Sequence, residues 1–359
     1  MTASFDQPHL QLLSDLCRAI GVSGDEAPVA EVIRAALGDS VDRIWTDPMG
    51  NLYALREGQS ERRLMLDAHM DEIGLMIQHI DAGGFLHFDL LGGWDERILP
   101  AQMVLIRVAD GRLIPGIIGS QPPHILQASE RKGVMSASEL FIDIGAESAA
   151  EVAAMGVRMG DYAVVTSGHD SMLLGKNRFA ARALDNRVGC ATAIMALREL
   201  ADETPELTIV AAFPVGEEVG LRGATVAARV VDPDVALILE GTVAADVPGV
   251  ATSRQPAVQG LGPAITLADK RQIVPRRLVE FMERIAREAD IPVQRKRPGF
   301  GGTDGGAVHM SGSGPLTGVL SCPCRYIHSP MAHLLVSDYE HMIRMTGTFI
   351  RRAGELLSA

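Results

Sequence analysis

Leu207-Thr208-Ile209-Val210-Ala211-Ala212-Phe213-Pro214-Val215-Gly216-Glu217-Glu218 sets a nine-residue, almost wholly apolar run directly before a glycine and two adjacent carboxylates. The run is far shorter than the ~18 residues a membrane span needs, and it lacks a helical spacing of polar positions. It reads as a buried strand. Two neighbouring carboxylates at its end repel one another unless a cation sits nearby.

Outward from this strand the chain alternates. Helices are expected at 187–201 and 221–230, a strand at 235–239 ending in Glu240, a strand at 263–267 and a helix at 275–289. A strand at 315–321 and a closing helix at 337–357 follow. Upstream, apolar residues at helical spacing predict a first helix through Leu10, Leu13 and Leu16, and a second through Val29 and Ile33 that Asp25 or Glu26 can cap. Strands at 41–45 and 52–56 come next, then one at 63–68 that ends in His69-Met70-Asp71. Strands alternating with helices give an α/β fold, a mostly parallel sheet sandwiched by helices.

Between 73 and 165 helical periodicity nearly vanishes, apart from 149–155. Short strands are expected at 74–80, 85–89, 104–108, 113–118 and 140–144. Turns at Ala82-Gly83-Gly84, Asp110-Gly111 and Gln121-Pro122-Pro123 separate them. This is the pattern of an inserted β-rich domain at 73–165, with 1–72 and 166–359 forming one body. The insert shows no evident catalytic residue of its own.

Composition narrows the classes. With 45 acidic against 33 basic residues the formal charge is −12, which disfavours nucleic acid and anionic membranes and suits a site that gathers cations. Aromatics at 4% leave little for base-stacking or sugar-binding platforms. No positive segment followed by an apolar stretch opens the chain, and four cysteines are too few for a disulfide framework, so a cytoplasmic location is expected.

In a parallel sheet, ligands bind beyond the carboxyl ends of the strands. His69 and Asp71, two apart, point to one side at one strand end. Glu217 and Glu218 stand at a second, Glu240 at a third, His328 after a fourth, and Asp185 just before the helix at 187. Imidazole and carboxylate donors suit zinc, cobalt or manganese. Singly, Asp185 reads equally well as a helix cap and His69 as a structural histidine; the shared placement at strand ends favours one site. Cys322-Pro323-Cys324 is too tightly spaced for zinc and reads as strand core. His124 reads as a turn residue, and Ser329 has no triad around it. Gly301-Gly302-Thr303-Asp304 lacks the lysine of a phosphate loop and carries a repelling carboxylate.

Ala68-His69-Met70-Asp71-Glu72-Ile73-Gly74, Ala183-Leu184-Asp185-Asn186-Arg187, Glu217-Glu218-Val219-Gly220-Leu221-Arg222-Gly223-Ala224, the Gly301 loop and Arg325-Tyr326-Ile327-His328-Ser329-Pro330 together resemble the M42 metallo-aminopeptidases. These are the tetrahedral, glutamyl aminopeptidase and endoglucanase M-like members of the co-catalytic clan. The resemblance implies two divalent metal ions per subunit, zinc foremost, with Asp185 bridging them. His69 and Glu240 would complete one ion and Glu218 and His328 the other. Glu217 would be the general base for a water activated between the ions, and Asp71 would orient His69. Gly301, Gly302, Thr303 and Asp304 would line the pocket for the first side chain of a peptide substrate. Where this chain has Glu240, the family frequently has Asp. The insert would build dimers that assemble into a dodecamer. A glycoside hydrolase and a non-catalytic, metal-stabilised assembly protein are the competing readings.

Overall fold

The computed structural model describes residues 5–122, 124–125, 133–169 and 171–357; Pro123 of the expected turn lies outside the described residues. Helices α1 (Pro8–Arg18) and α2 (Ala27–Leu37) lead into strands β1 (Arg43–Thr46), β2 (Leu52–Arg56) and β3 (Ser60–Asp67). The chain then runs through β4 (Gly74–Ile80), β5 (Leu86–Leu91), β6 (Met103–Arg107), β7 (Leu113–Gly119), β8 (Phe141–Asp143), α3 (Ala149–Met155) and β9 (Tyr162–Thr166). It continues with β10 (Ser171–Leu174), β11 (Arg178–Ala181), α4 (Leu184–Glu199), β12 (Leu207–Phe213), α5 (Arg222–Val231) and β13 (Val235–Val243). Strands β14 (Ala264–Thr266), β15 (Gln294–Lys296), β16 (Leu316–Arg325) and β17 (Ala332–Leu335) alternate with α6 (Arg276–Glu288) and α7 (Gly305–Val308), and α8 (Val336–Arg352) follows.

Among the described residues eleven strands form the main sheet, whose central order β12-β3-β13-β16 is parallel throughout. Antiparallel strands flank this centre on both sides. Alternate residues of the central strands enter two cores. Leu64, Leu66, Ile209, Leu237 and Leu239 pack under α1, α2, α4, α6 and α8, while Met65, Val210, Ala236 and Ile238 pack under α5. Helix α6 shows why such elements form. Its Leu278, Met282 and Ile285 stripe is fully buried, each side chain contributing roughly 1.5–3 kcal/mol, and arginines and glutamates fill the outer face. Helix α4 is buried on nearly every side and lies so close to β13 that a Cβ on Gly189 would sit 2.3 Å from the Leu239 carbonyl oxygen.

Strands β4-β5-β8-β7-β6-β9 close into a separate barrel with its own core, including Leu75, Phe88, Val104 and Ile142. The expected α/β fold with a β-rich insert is what the chain adopts. The barrel meets the main body through an apolar contact of Ile20, Val22 and Val164, and through Arg107, whose Nη1 lies 2.6 Å from Asp25 Oδ1.

Some local expectations change. Strand β13 does not stop at Leu239 but runs to Val243, because its pairing with β16 continues that far; Glu240 therefore sits inside a strand and not beyond its end. Helix α2 begins with Glu26 in the cap position, yet that side chain does not cap. Its Oε1 accepts instead from the N–H groups of Gly24 and Gly216, at 2.9 and 3.0 Å. The closing α-helix ends at Arg352, and a short 3-10 turn follows it.

Candidate metal centre

The sheet brings His69, Asp71, Asp185, Glu217, Glu218, Glu240 and His328 together at the carboxyl ends of its central strands. Beyond β3 the chain carries His69 and Asp71; beyond β12 it turns at Gly216 into Glu217 and Glu218; Glu240 lies in β13; His328 follows β16. Asp185 and Asn186 depart from helical geometry at the start of α4, so the Asp185 side chain is turned to the cluster and caps nothing. Asn186 holds that segment against β13: its amide donates to the Leu239 carbonyl at 2.8 Å, and its oxygen accepts from Gly241 N at 3.1 Å.

Asp185 stands between the two imidazoles. Its Oδ1 lies 3.5 Å from His69 Nε2 and its Oδ2 lies 3.4 Å from His328 Nε2. Glu240 Oε2 and Glu217 Oε2 lie 3.6 and 3.9 Å from His69 Nε2, while Glu218 Oε1 is 3.3 Å from His328 Nε2. Asp71, fully buried, supports the arrangement from behind. Its Oδ1 accepts from Glu217 N at 3.0 Å and lies 3.2 Å from His69 Nδ1. Its Oδ2 accepts from Glu218 N at 3.1 Å and from Ser23 Oγ at 2.6 Å.

Charge and burial compete here. Burial pushes the Glu217 carboxyl well above its ordinary range, and the carboxylates of Asp304, Glu240 and Glu218 add to the effect. Burial likewise raises Glu218, and raises Glu240 to about 7. Burial opposes ionisation of Asp185 too, yet the imidazoles of His328 and His69 hold it below the carboxylate range. Against their own burial, the surrounding carboxylates raise His69 well above its usual value and His328 to about 11. The cluster draws positive charge to its middle.

The donor atoms fit cations. One atom each from His69, Glu217 and Glu240 lie within 4.8 Å of one another, as do one each from Asp185, Glu218 and His328. Glu240 Oε1 is buried without a hydrogen-bond partner, an arrangement that a bound ion satisfies. Imidazole and carboxylate donors in two such groups match borderline and hard divalent ions.

Residues 301–304 divide. Gly301 and Gly302 are exposed, Thr303 Oγ1 donates to Asp269 Oδ2 at 3.3 Å, and Asp304 is fully buried. Asp304 lies beside Asp67, also fully buried, and the oxygens of both carboxyls are without hydrogen-bond partners among the described residues. Burial raises both, Asp67 to about 8. Sequence reasoning missed Asp67; its signal was a carboxylate two residues before His69, hence on the same face of β3. Cys322 and Cys324 are buried in β16 as free thiols. The Ser329 hydroxyl donates to main-chain carbonyls of Tyr326 and Met331, and His124 is exposed. A crevice lined by Ile73, Trp94, Arg182, Asp185, Glu218 and His328 opens where the barrel meets the sheet. A broad groove lies at the opposite end of the strands, around Ser60, Arg63 and Asp234, and contains none of the candidate residues.

The sequence profile of the M42 glutamyl aminopeptidases matches residues 50–345. A lysyl aminopeptidase of Pyrococcus furiosus is 32% identical, over 93% of this chain and 94% of its own. The solved TET aminopeptidase of the marine-sediment archaeon Thaumarchaeota archaeon SCGC AB-539-E09 is 36% identical with a TM-score of 0.92, covering 96% of each chain. The TET1 peptidase of Pyrococcus horikoshii, which assembles into a tetrahedron or a large octahedral shell, is 32% identical with a TM-score of 0.84, covering 95% of this chain and 99% of its own. The chain belongs to the M42 peptidase family and is a hydrolase acting on peptides.

Proposed function

We propose that this chain is an aminopeptidase that works with two divalent ions, zinc foremost and cobalt or manganese as alternatives. The observation that carries this reading is Asp185, whose two oxygens face two different imidazoles at 3.5 and 3.4 Å, as a carboxylate shared by two ions must. His69 and Glu240 would hold one ion, Glu218 and His328 the other. Ions in these positions would supply Lewis acidity, acidifying a water molecule and polarising the scissile carbonyl.

The chain's own groups do the rest. Glu217 has its backbone N–H tied to Asp71, so its carboxylate is held toward the cluster. Burial raises its proton affinity, which suits a base that takes a proton from water and passes it to the leaving amine. Asp71 fixes His69 and the Glu217-Glu218 turn at once. The excess of carboxylates favours a substrate's terminal ammonium over a carboxylate. Gly301 and Gly302, with Thr303 and Asp304 behind them, would border the first side chain of the peptide. A glycosidase needs two carboxyls facing across a sugar bond, ~5 or ~6.5–9.5 Å apart. Glu217 and Glu218 instead turn to opposite imidazoles, which favours peptide chemistry.

Assembly of the barrels into dimers and of dimers into a dodecamer, in the cytoplasm, completes the reading; the shells built by the P. horikoshii relative support the first part. Among the described residues no helix is long and apolar enough to cross a membrane. The test is a pair of peptides identical but for N-acetylation, digested by the metal-loaded protein and read by mass spectrometry. The free peptide should lose residues singly from its amino end and the acetylated twin should resist. Internal fragments from the acetylated peptide at a comparable rate would overturn the proposal.

A further inference from the structure

We propose that the inserted barrel is a positioning element of the metal centre, acting on its His328 side through the main-chain carbonyl of Gly93. The inference rests on the two-ion reading above and deepens it, because it gives the two sides of the centre different supports.

His328 Nδ1 lies 2.8 Å from the Gly93 carbonyl oxygen. A carbonyl only accepts, so Nδ1 carries the proton and Nε2, which faces Asp185 and Glu218, is left free to bind a cation. Gly93 belongs to the barrel, in the connection that follows β5. His328 itself has φ of 56° and Tyr326 a φ of 64°, left-handed backbone that non-glycine residues hold only when their surroundings impose it. The Gly93 carbonyl is such an imposed contact.

The approach of this loop is close enough to demand glycine. A Cβ on Gly92, whose φ is 84°, would lie 2.4 Å from Ile73 Cγ2 and 3.3 Å from Glu218 Cβ. One on Gly93 would lie 3.2 Å from His328 Nδ1. The loop therefore lies close against both Glu218 and His328. It is anchored in the barrel by Trp94, whose Nε1 donates to the Gly74 carbonyl at 3.0 Å. Among the described residues no barrel group bonds directly to the side chain of His69. Its imidazole is backed by Asp71, which belongs to the segment leaving β3 and is fixed by Ser23 and the Glu217-Glu218 turn. A shift of the barrel is thus felt directly at the His328 side, and at the His69 side only through Ser23 and Asp71.

Titrating the metal-free full-length protein with Co2+, followed by calorimetry and visible absorption, tests this. The wild type should show two binding events. Gly93→Ala should weaken one of them roughly 10–100-fold, as loss of the group that orients a ligating histidine typically does, and the other far less. Trp94→Phe, which frees the loop without adding a clash, should shift the same event in the same direction by less, and it decides the matter if Gly93→Ala does not fold. Gly133→Ala, where an added Cβ meets nothing within 4 Å among the described residues, is the control in the insert and should match wild type. Folded variants that bind both ions as wild type does, or that weaken both events equally, overturn the inference. A wild type that binds no Co2+ removes the two-ion reading itself, a distinguishable result.

Discussion

Asp71→Asn exchanges one oxygen for an amide nitrogen at the point where the whole centre is braced. The carboxylate faces four groups: Glu217 N and His69 Nδ1 on one oxygen, Glu218 N and Ser23 Oγ on the other. Whichever way the amide turns, its NH2 confronts a backbone N–H that cannot rotate away. Ser23 can reverse its hydroxyl, and His69 can accept only by moving its proton to Nε2, the atom needed for a cation. One charge-assisted hydrogen bond is lost, about 1.5–3 kcal/mol, and one buried N–H is stranded, about 1–3 kcal/mol. The total, roughly 2.5–6 kcal/mol, divides between folding stability and the geometry of the cluster. At 1.4 kcal/mol per factor of ten, half of it weakens metal binding roughly tenfold to a hundredfold. His69 and its neighbours hold the Asp71 carboxyl below the usual range in spite of its burial. Its stabilisation is therefore complete above the unfolded value near 3.8, and is lost as pH falls through the lower folded value. Chelator competition, turnover at saturating metal and thermal melts at neutral pH should all register the change, and the variant should lose less stability in acid than wild type. An Asn variant within threefold of wild type in metal affinity and turnover would refute this reasoning.

Glu217→Gln should lower turnover by roughly two to four orders of magnitude with metal content near normal, whereas Glu218→Gln should also lose metal, read by elemental analysis beside the rate. Intact turnover in the Glu217 variant would remove it from the role of base. Burial, with Asp71 nearby, raises Glu26 to about 7 although it accepts two backbone N–H bonds. The unfolded chain ionises near 4.5 while the folded one keeps its proton, so stability falls between pH 4.5 and 7 and the penalty is full above that. Glu26→Gln should thus match wild type at pH 4 and exceed it by up to about 3 kcal/mol at pH 8 in denaturation experiments; equal gains at both pH values would show another cause.

What could be read from the chain follows from where the information lies. The apolar run at 207–215 and the alternation around it carry the sheet, because strands buried on both faces need continuous apolar sequence. His69 and Asp71 were readable as a pair since strand geometry turns i and i+2 to one side. Strands of four residues such as β10, β11 and β17 are too short to show such a pattern; they form because neighbouring strands offer them partners. Glu240 lies inside β13 for the same reason, as pairing with β16 extends the strand beyond its apolar stretch. Asp304 looked like a loop residue among glycines, and only the tertiary fold buries it against Asp67. The Gly93 contact was the least accessible of all: the acceptor is a main-chain carbonyl, which every residue possesses, and 235 positions separate it from His328.

The central claim is that two divalent ions share this cluster and are required for removing residues from peptide amino ends. Its most direct test is to strip the protein with chelator, confirm by elemental analysis that it is metal-free, and add back zinc, cobalt or manganese while recording bound metal and hydrolysis of a free-amine peptide together. Activity should be absent in the stripped protein and should return as occupancy approaches two ions per chain. Full activity in the verified metal-free protein, or saturation at one ion with full activity, would contradict the account.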